Sequence, residues 1–292
     1  MNAKNIKKSL QWKIDDWLKY IDDENVKKVI KDNAIITGGA IVSLLNGEKP
    51  HDYDVYFKTL ESCELVARYY ADKFNEAHKD KNTVEITVGD GRVRCFIRSE
   101  GMVAEDGENG IDDETEPYVE EDTDKDTTEI TDKPKYRPRY FSTNAISLSD
   151  DIQLVIRFWG TVEEIHKNYD FIHCTCSYDY KENKLDLPPK ALEAIINKEL
   201  YYVGSKYPLC SIIRTRKFLE RGWTINAGQY LKMCLQLNEL NLKDLNVFQD
   251  QLCGVDSAYF EAAISAIKER QEKEPDFTID NKYLFEVINR IF

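Results

Sequence analysis

The chain has 292 residues, 42% of them hydrophobic and 32% charged, which suits one large or two modest globular domains and excludes wholesale disorder. A formal charge of −13 at pH 7 argues against a general polyanion binder, yet the acidity is local: residues 104–132 hold fourteen acids and one lysine, leaving 39 acids against 39 bases elsewhere. No apolar run of about 18 residues is present to span a bilayer and no signal pattern opens the chain, so no membrane association is expected and the cytoplasm is the expected location.

The first thirty residues place Leu10, Ile14, Trp17, Leu18, Ile21, Val26, Val29 and Ile30 at helical spacing, which predicts two short amphipathic helices. Ala34-Ile35-Ile36 reads as a strand, Thr37-Gly38-Gly39 as a tight turn and Ala40–Leu45 as a helix. After Asn46-Gly47 and Pro50, the alternation in His51–Phe57 predicts a second strand, and Glu61–Lys79 a helix. Thr83–Ile97 forms two alternating runs about Gly89-Asp90-Gly91, a hairpin signal. Ser99–Asp132 lacks any period and reads as a mobile loop. It is closed by the basic stretch Lys133–Arg139, whose cations and tyrosines suit either nucleic-acid stacking or charge pairing with the acidic insert.

Asp151–Trp159 and Tyr169–Ser177 read as further strands around a short helix, Thr161–His166. From Pro188 onward the period becomes helical, with helices predicted near Leu192–Leu200, Ile212–Leu219, Tyr230–Leu240, Tyr259–Arg270 and Tyr283–Phe292. The seven cysteines are odd in number and never spaced C-x-x-C, so reduced thiols are expected. Cys174 and Cys176, with His173 beside them, read as small side chains on one strand face rather than as a zinc site.

Two features carry chemistry. Gly38 and Gly39 lack Cβ atoms between a strand and a helix, so the backbone can approach an anion and the helix N-terminus can receive it. Asp52 and Asp54, one residue apart on a predicted strand, put two hard-oxygen carboxylates on one face, roughly 7 Å apart. Such a pair suits Mg²⁺ held together with nucleotide phosphates.

The Gly38-Gly39 turn, a helix, and then Asp52-x-Asp54, with twelve residues between Gly39 and Asp52, resembles the signature of the DNA polymerase β nucleotidyltransferase superfamily. The resemblance implies an α+β fold: a nucleotidyltransferase domain with a mixed sheet flanked by helices over 1–185, carrying the acidic insert at about 100–135, and an all-helical domain over 186–292. It also implies a third carboxylate on a neighbouring strand, for which Asp170 in Tyr169-Asp170-Phe171 is the first choice and Asp150, Asp151 and Asp179 are competitors.

Ile212–Phe218 and Arg221-Gly222-Trp223 resemble the arginine-rich helix and Gly-aromatic turn after the head of CCA-adding enzymes and bacterial poly(A) polymerases, with a register one residue short. The whole chain also resembles nucleotidyltransferase-like proteins of tailed bacteriophages. These resemblances imply transfer of NMP from an NTP, such as ATP or CTP, to a hydroxyl, with release of pyrophosphate. Asp52, Asp54 and Asp170 would hold Mg²⁺ or Mn²⁺, while Gly38, Gly39, Arg214 and Arg216 would receive the triphosphate. An RNA or tRNA 3′ end is the first acceptor, a protein hydroxyl the second. An idle scaffold serving as a phage structural or interaction protein is the competing expectation, with the acidic insert docking a basic partner protein. His51 is read as a solvated loop residue, and neither His166 nor His173 is given a catalytic role.

Overall fold

The computed structural model describes residues 2–78, 82–99, 118–119 and 134–251, with isolated positions beyond (267, 269, 270, 273, 282, 283, 285, 286 and 289). It divides into two compact units: Met1–Lys167 with Cys174–Leu192, and Asn168–His173 with Glu193–Phe292. The first is a sheet unit of mixed α+β structure and the second is helical, as the fold-class expectation has it.

In the sheet unit, α1 (Ala3–Leu18) starts where the Asn2 side chain accepts a hydrogen bond from the Asn5 N–H. Its Ile6, Leu10, Ile14 and Trp17 recur at three and four residues and are fully buried. Asp23 caps α2 (Glu24–Asn33) in the same way. β1 (Ala34–Thr37), α3 (Gly39–Asn46), β2 (Tyr53–Phe57) and α4 (Leu60–Ala77) then follow the expected order. Trp17 Nε1 donates to the Tyr70 hydroxyl at 2.6 Å, fastening α1 to α4 within the core.

The hairpin of β3 (Asn82–Gly89) and β4 (Arg92–Ser99) closes through Asp90 and Gly91, at φ 52 and 69. Positive φ at both positions is what a two-residue turn between right-twisted strands requires. The Trp159 indole donates to the Gly91 carbonyl at 2.8 Å and ties the turn to the main sheet.

The main sheet runs β10-β9-β1-β2-β8-β7-β6-β5, with β2 and β8 (Ile152–Trp159) paired in parallel and the other pairs antiparallel. Its remaining strands are β5 (Tyr118–Val119), β6 (Pro138–Phe141), β7 (Ala145–Leu148), β9 (Ser177–Asp179) and β10 (Lys184–Asp186). Ile152, Leu154 and Ile156 of β8 are buried, while Gln153, Val155 and Arg157 between them are half-exposed. The parallel crossover and this alternation give the sheet one packed face and one partly open face. α5 (Val162–His166) follows β8 with a full capping box between Thr161 and Glu164.

Several expectations need correction. Tyr169–Ser177 is not a strand: residues 172–175 form a short 3-10 helix, and only Ser177–Asp179 joins the sheet. Asp170, Phe171 and His173 are all buried, so the polar-apolar alternation does not sort into an inner and an outer face. Phe171 bridges to Tyr202, and the Ile172 N–H donates to the Tyr201 carbonyl at 3.0 Å, which uses the backbone groups a sheet would need. Cys174 and Cys176 therefore share no strand face.

The basic stretch offers no free stacking platform at Tyr136, which is buried with its hydroxyl donating to Asp16 at 2.9 Å. The predicted loop Ser99–Asp132 lies outside the described residues apart from Ser99 at the end of β4 and Tyr118–Val119, which pair with β6. Cys63, Cys95, Cys174, Cys176, Cys210 and Cys234 form no disulfide, and Cys253 lies outside the described residues. No helix among the described residues is long and apolar enough to cross a membrane.

In the helical unit, α7 (Pro208–Glu220) packs against α8 (Ala227–Leu237) and α9 (Leu245–Gln251). α6 (Pro189–Asn197) contains the boundary between the units. Expected helices at Tyr259–Arg270 and Tyr283–Phe292 fall largely outside the described residues.

Candidate active site

The site is set by the β1–β2 pairing. Ile36 is opposite Val55, so continuing that register by one residue sets Thr37 opposite Asp54, and Gly38 leaves the sheet where β2 begins. Gly38 adopts φ 86 and ψ −141, a conformation that side chains oppose. Gly39 opens α3, is exposed, and has nothing within 4 Å of where a Cβ would stand. No side chain caps this helix, so the turn presents free backbone N–H groups and open space together.

Below the turn, the Thr37 hydroxyl donates to the Cys176 carbonyl at 2.8 Å and stands 2.8 Å from His166 Nε2. Because the carbonyl takes the hydroxyl proton, His166 must be the donor at Nε2. Burial lowers the His166 pKa, which favours the neutral ring in that tautomer. His166, to which the sequence reading gives no catalytic role, thereby braces the root of the glycine turn.

Asp52 is exposed and lies just before β2, not within it, whereas Asp54 is in the strand and half-exposed. Dense protein surroundings, with the Asp52 charge adding to them, push the Asp54 pKa up to about 7. Among the described residues neither carboxylate has a hydrogen bond or ion pair to a protein partner. The other candidates are committed. Asp150 accepts from the Tyr136 N–H and from Ser149, Asp151 lies 3.8 Å from Lys49, and Asp179 is 2.7 Å from Lys58.

Asp170 sits in the helical unit, not on a strand, and is buried with one oxygen 2.6 Å from Arg214 Nη1. The expected third metal ligand and the expected triphosphate-binding arginine thus neutralise each other. Arg216 pairs with Glu220 at 3.1 Å one turn along α7 and is exposed, an arrangement that gives little binding energy by itself. Next to Asp170, His173 is 1% exposed with both ring nitrogens unpartnered. It is enclosed by Phe171, Phe218 and Trp223, with ring centroids 5.9, 4.7 and 4.3 Å away. This burial pulls its pKa down to about 4, against a smaller opposing effect of Asp170.

Among the described residues no group of three or more His, Cys, Asp or Glu side chains is arranged to hold a metal ion. The residue sequence reasoning misses is Gln153, placed opposite Asp54 on β8 by the parallel register.

Solved structures show a loose likeness. The Bacillus stearothermophilus CCA-adding enzyme in complex with CTP gives a TM-score of 0.38 at 14% identity, covering 82% of this chain and 50% of that one. The Thermotoga maritima CCA-adding enzyme complexed with tRNA gives 0.38 at 12% identity, covering 77% and 45%. A tRNA-processing enzyme with CTP gives 0.39 at 12%, covering 89% and 60%. Gabija anti-defense 2 of Bacillus phage SPbetaL7 is 21% identical over 282 residues, 94% of this chain and 56% of that protein, so the chain spans about half the length of the curated relative it matches. Residues 8–198, more than half of the chain, match the model of the Gabija anti-defense 2 family protein, and the chain belongs to that family.

Proposed function

We propose that this chain binds a nucleoside triphosphate together with a divalent cation and transfers NMP to a hydroxyl acceptor, an RNA 3′ end before a protein hydroxyl, in the service of the anti-defence role its family name carries. The observation that carries the reading is the pair Asp52 and Asp54, left without protein partners at the sheet end where Gly38 and Gly39 open onto the uncapped N-terminus of α3. The other candidate acids are paired, Asp170 with Arg214 and Asp179 with Lys58, whereas Asp52 and the half-exposed Asp54 are left open to a ligand.

Mg²⁺ or Mn²⁺ fits this donor set, because two hard carboxylate oxygens in mutual repulsion gain most from a dication. Bound there, the ion would lend positive charge to the phosphates of the NTP. The chain's own part is to orient. The α3 N–H groups would receive phosphate oxygens, the space above Gly39 would admit them, and the Thr37–His166 contact would hold the turn in place. Asp170 and Arg214 enter as a neutralised pair that orders α7.

The test is incubation with labelled NTPs, Mg²⁺ or Mn²⁺ and total tRNA, beside an Asp52→Ala/Asp54→Ala control. Label in RNA that the control lacks is the expected result, and label in protein instead selects the second acceptor. No label in any fraction, with no NTP binding by calorimetry, refutes the proposal and leaves a scaffold that works by interaction.

A further inference from the structure

β2 and β8 run parallel with Asp54 opposite Gln153, so the two side chains leave the sheet on the same face about 5 Å apart. The same row continues from Gln153 to Ser147 on β7 and Tyr140 on β6, and on the other side to Thr37 on β1 and Ser177 on β9. Most members of this row are spoken for. Thr37 is fully buried with its hydroxyl committed to Cys176 and His166, and Tyr140 has partners of its own. Gln153 is half-exposed, and its amide makes no hydrogen bond to any described residue.

An amide on the half-exposed face of β8, with no hydrogen bond to a described residue and directly opposite Asp54, is placed to serve a ligand of the aspartate pair. Its carbonyl oxygen is a hard neutral donor of the kind divalent cations accept. We propose that Gln153 is the third member of the Asp52–Asp54 site, contributing its side-chain oxygen to the divalent cation and holding the site's charge at that of two carboxylates. The inference rests on the proposed function and adds to it a neutral ligand where a third acid would bind the ion more tightly. A cation held this way binds the free chain more weakly than three carboxylates would hold it, and nucleotide phosphates that share it tighten its hold.

The test is Mn²⁺ binding to the nucleotide-free full chain, read by the loss of the free-ion EPR signal, for wild type, Asp52→Asn/Asp54→Asn, Gln153→Leu and Gln153→Glu. The two Gln153 variants are predicted to move in opposite directions. Leu removes the oxygen and weakens binding several-fold, and Glu adds a charge about 5 Å from Asp54 and strengthens it by about tenfold or more. Urea denaturation of each variant verifies that the fold is kept, and Gln153→Asp replaces Gln153→Glu if the longer acid unfolds. Equal affinity in wild type and Gln153→Leu overturns the proposal, as does an unchanged affinity in the acidic variants. Wild-type binding that survives Asp52→Asn/Asp54→Asn would instead refute the underlying reading of the aspartate pair, so the two failures are distinguishable.

Discussion

His173→Phe removes a buried imidazole whose two nitrogens have no partner, while keeping an aromatic ring between Phe218 and Trp223. In the folded chain the ring resists protonation, with its pKa held near 4 against an ordinary 6.5. The unfolded chain therefore takes up a proton first as pH falls. Stability from this residue is whole above about pH 6.5 and is lost as pH descends toward 4. At pH 5 the unfolded ring is nearly all charged and the folded ring nearly all neutral, which removes about 2 kcal/mol relative to pH 7.5. Urea denaturation followed by tryptophan fluorescence, with Trp223 as a neighbouring reporter, measures this for both proteins. The gap between wild type and His173→Phe should shift by about 2 kcal/mol in favour of the variant between the two pH values. A gap that stays constant would mean that the folded imidazole finds a proton acceptor, and the reasoning from its aromatic enclosure would be wrong.

The two glycines of the turn should separate fold from ligand binding. Gly38→Ala is expected to cost about 1 kcal/mol or more, because its φ of 86 opposes a side chain, and to lower the melting temperature. Gly39→Ala should leave melting unchanged, since its methyl meets no protein atom within 4 Å, yet abolish NTP binding by calorimetry by filling the space above the turn. Asp170→Asn should destabilise by about 3 kcal/mol by removing the buried carboxylate from its ion pair with Arg214, and a double change with Arg214→Met should recover much of the loss. Strictly additive effects of these two substitutions in urea denaturation would show that the pair is not coupled.

What was legible in the sequence was local. The strand, glycine turn, helix and aspartate strand from Ala34 to Phe57 are punctuated by residues whose backbone needs are intrinsic, and the Asp90-Gly91 hairpin is of the same kind. Tyr169–Ser177 misleads because a period of two says nothing about partners, and its true partners, Tyr201, Tyr202 and Arg214, lie 29 or more residues away. Strands β6, β7, β9 and β10, of three or four residues, are too short to establish any period. Gln153 stands out only once β8 is set against β2, for an amide by itself marks no chemistry. Asp170 reads as a free acid until Arg214, 44 positions on, is seen beside it.

The six residues Asn168–His173 group with the helical unit although the chain on both sides of them belongs to the sheet unit. No cut at one point can therefore free either half intact: a fragment ending with α6 would keep Asp170 without Arg214 and Phe171 without Tyr202 and Phe218. That segment is therefore made before its own partners, since Tyr201, Tyr202, Arg214 and Phe218 all follow it in synthesis.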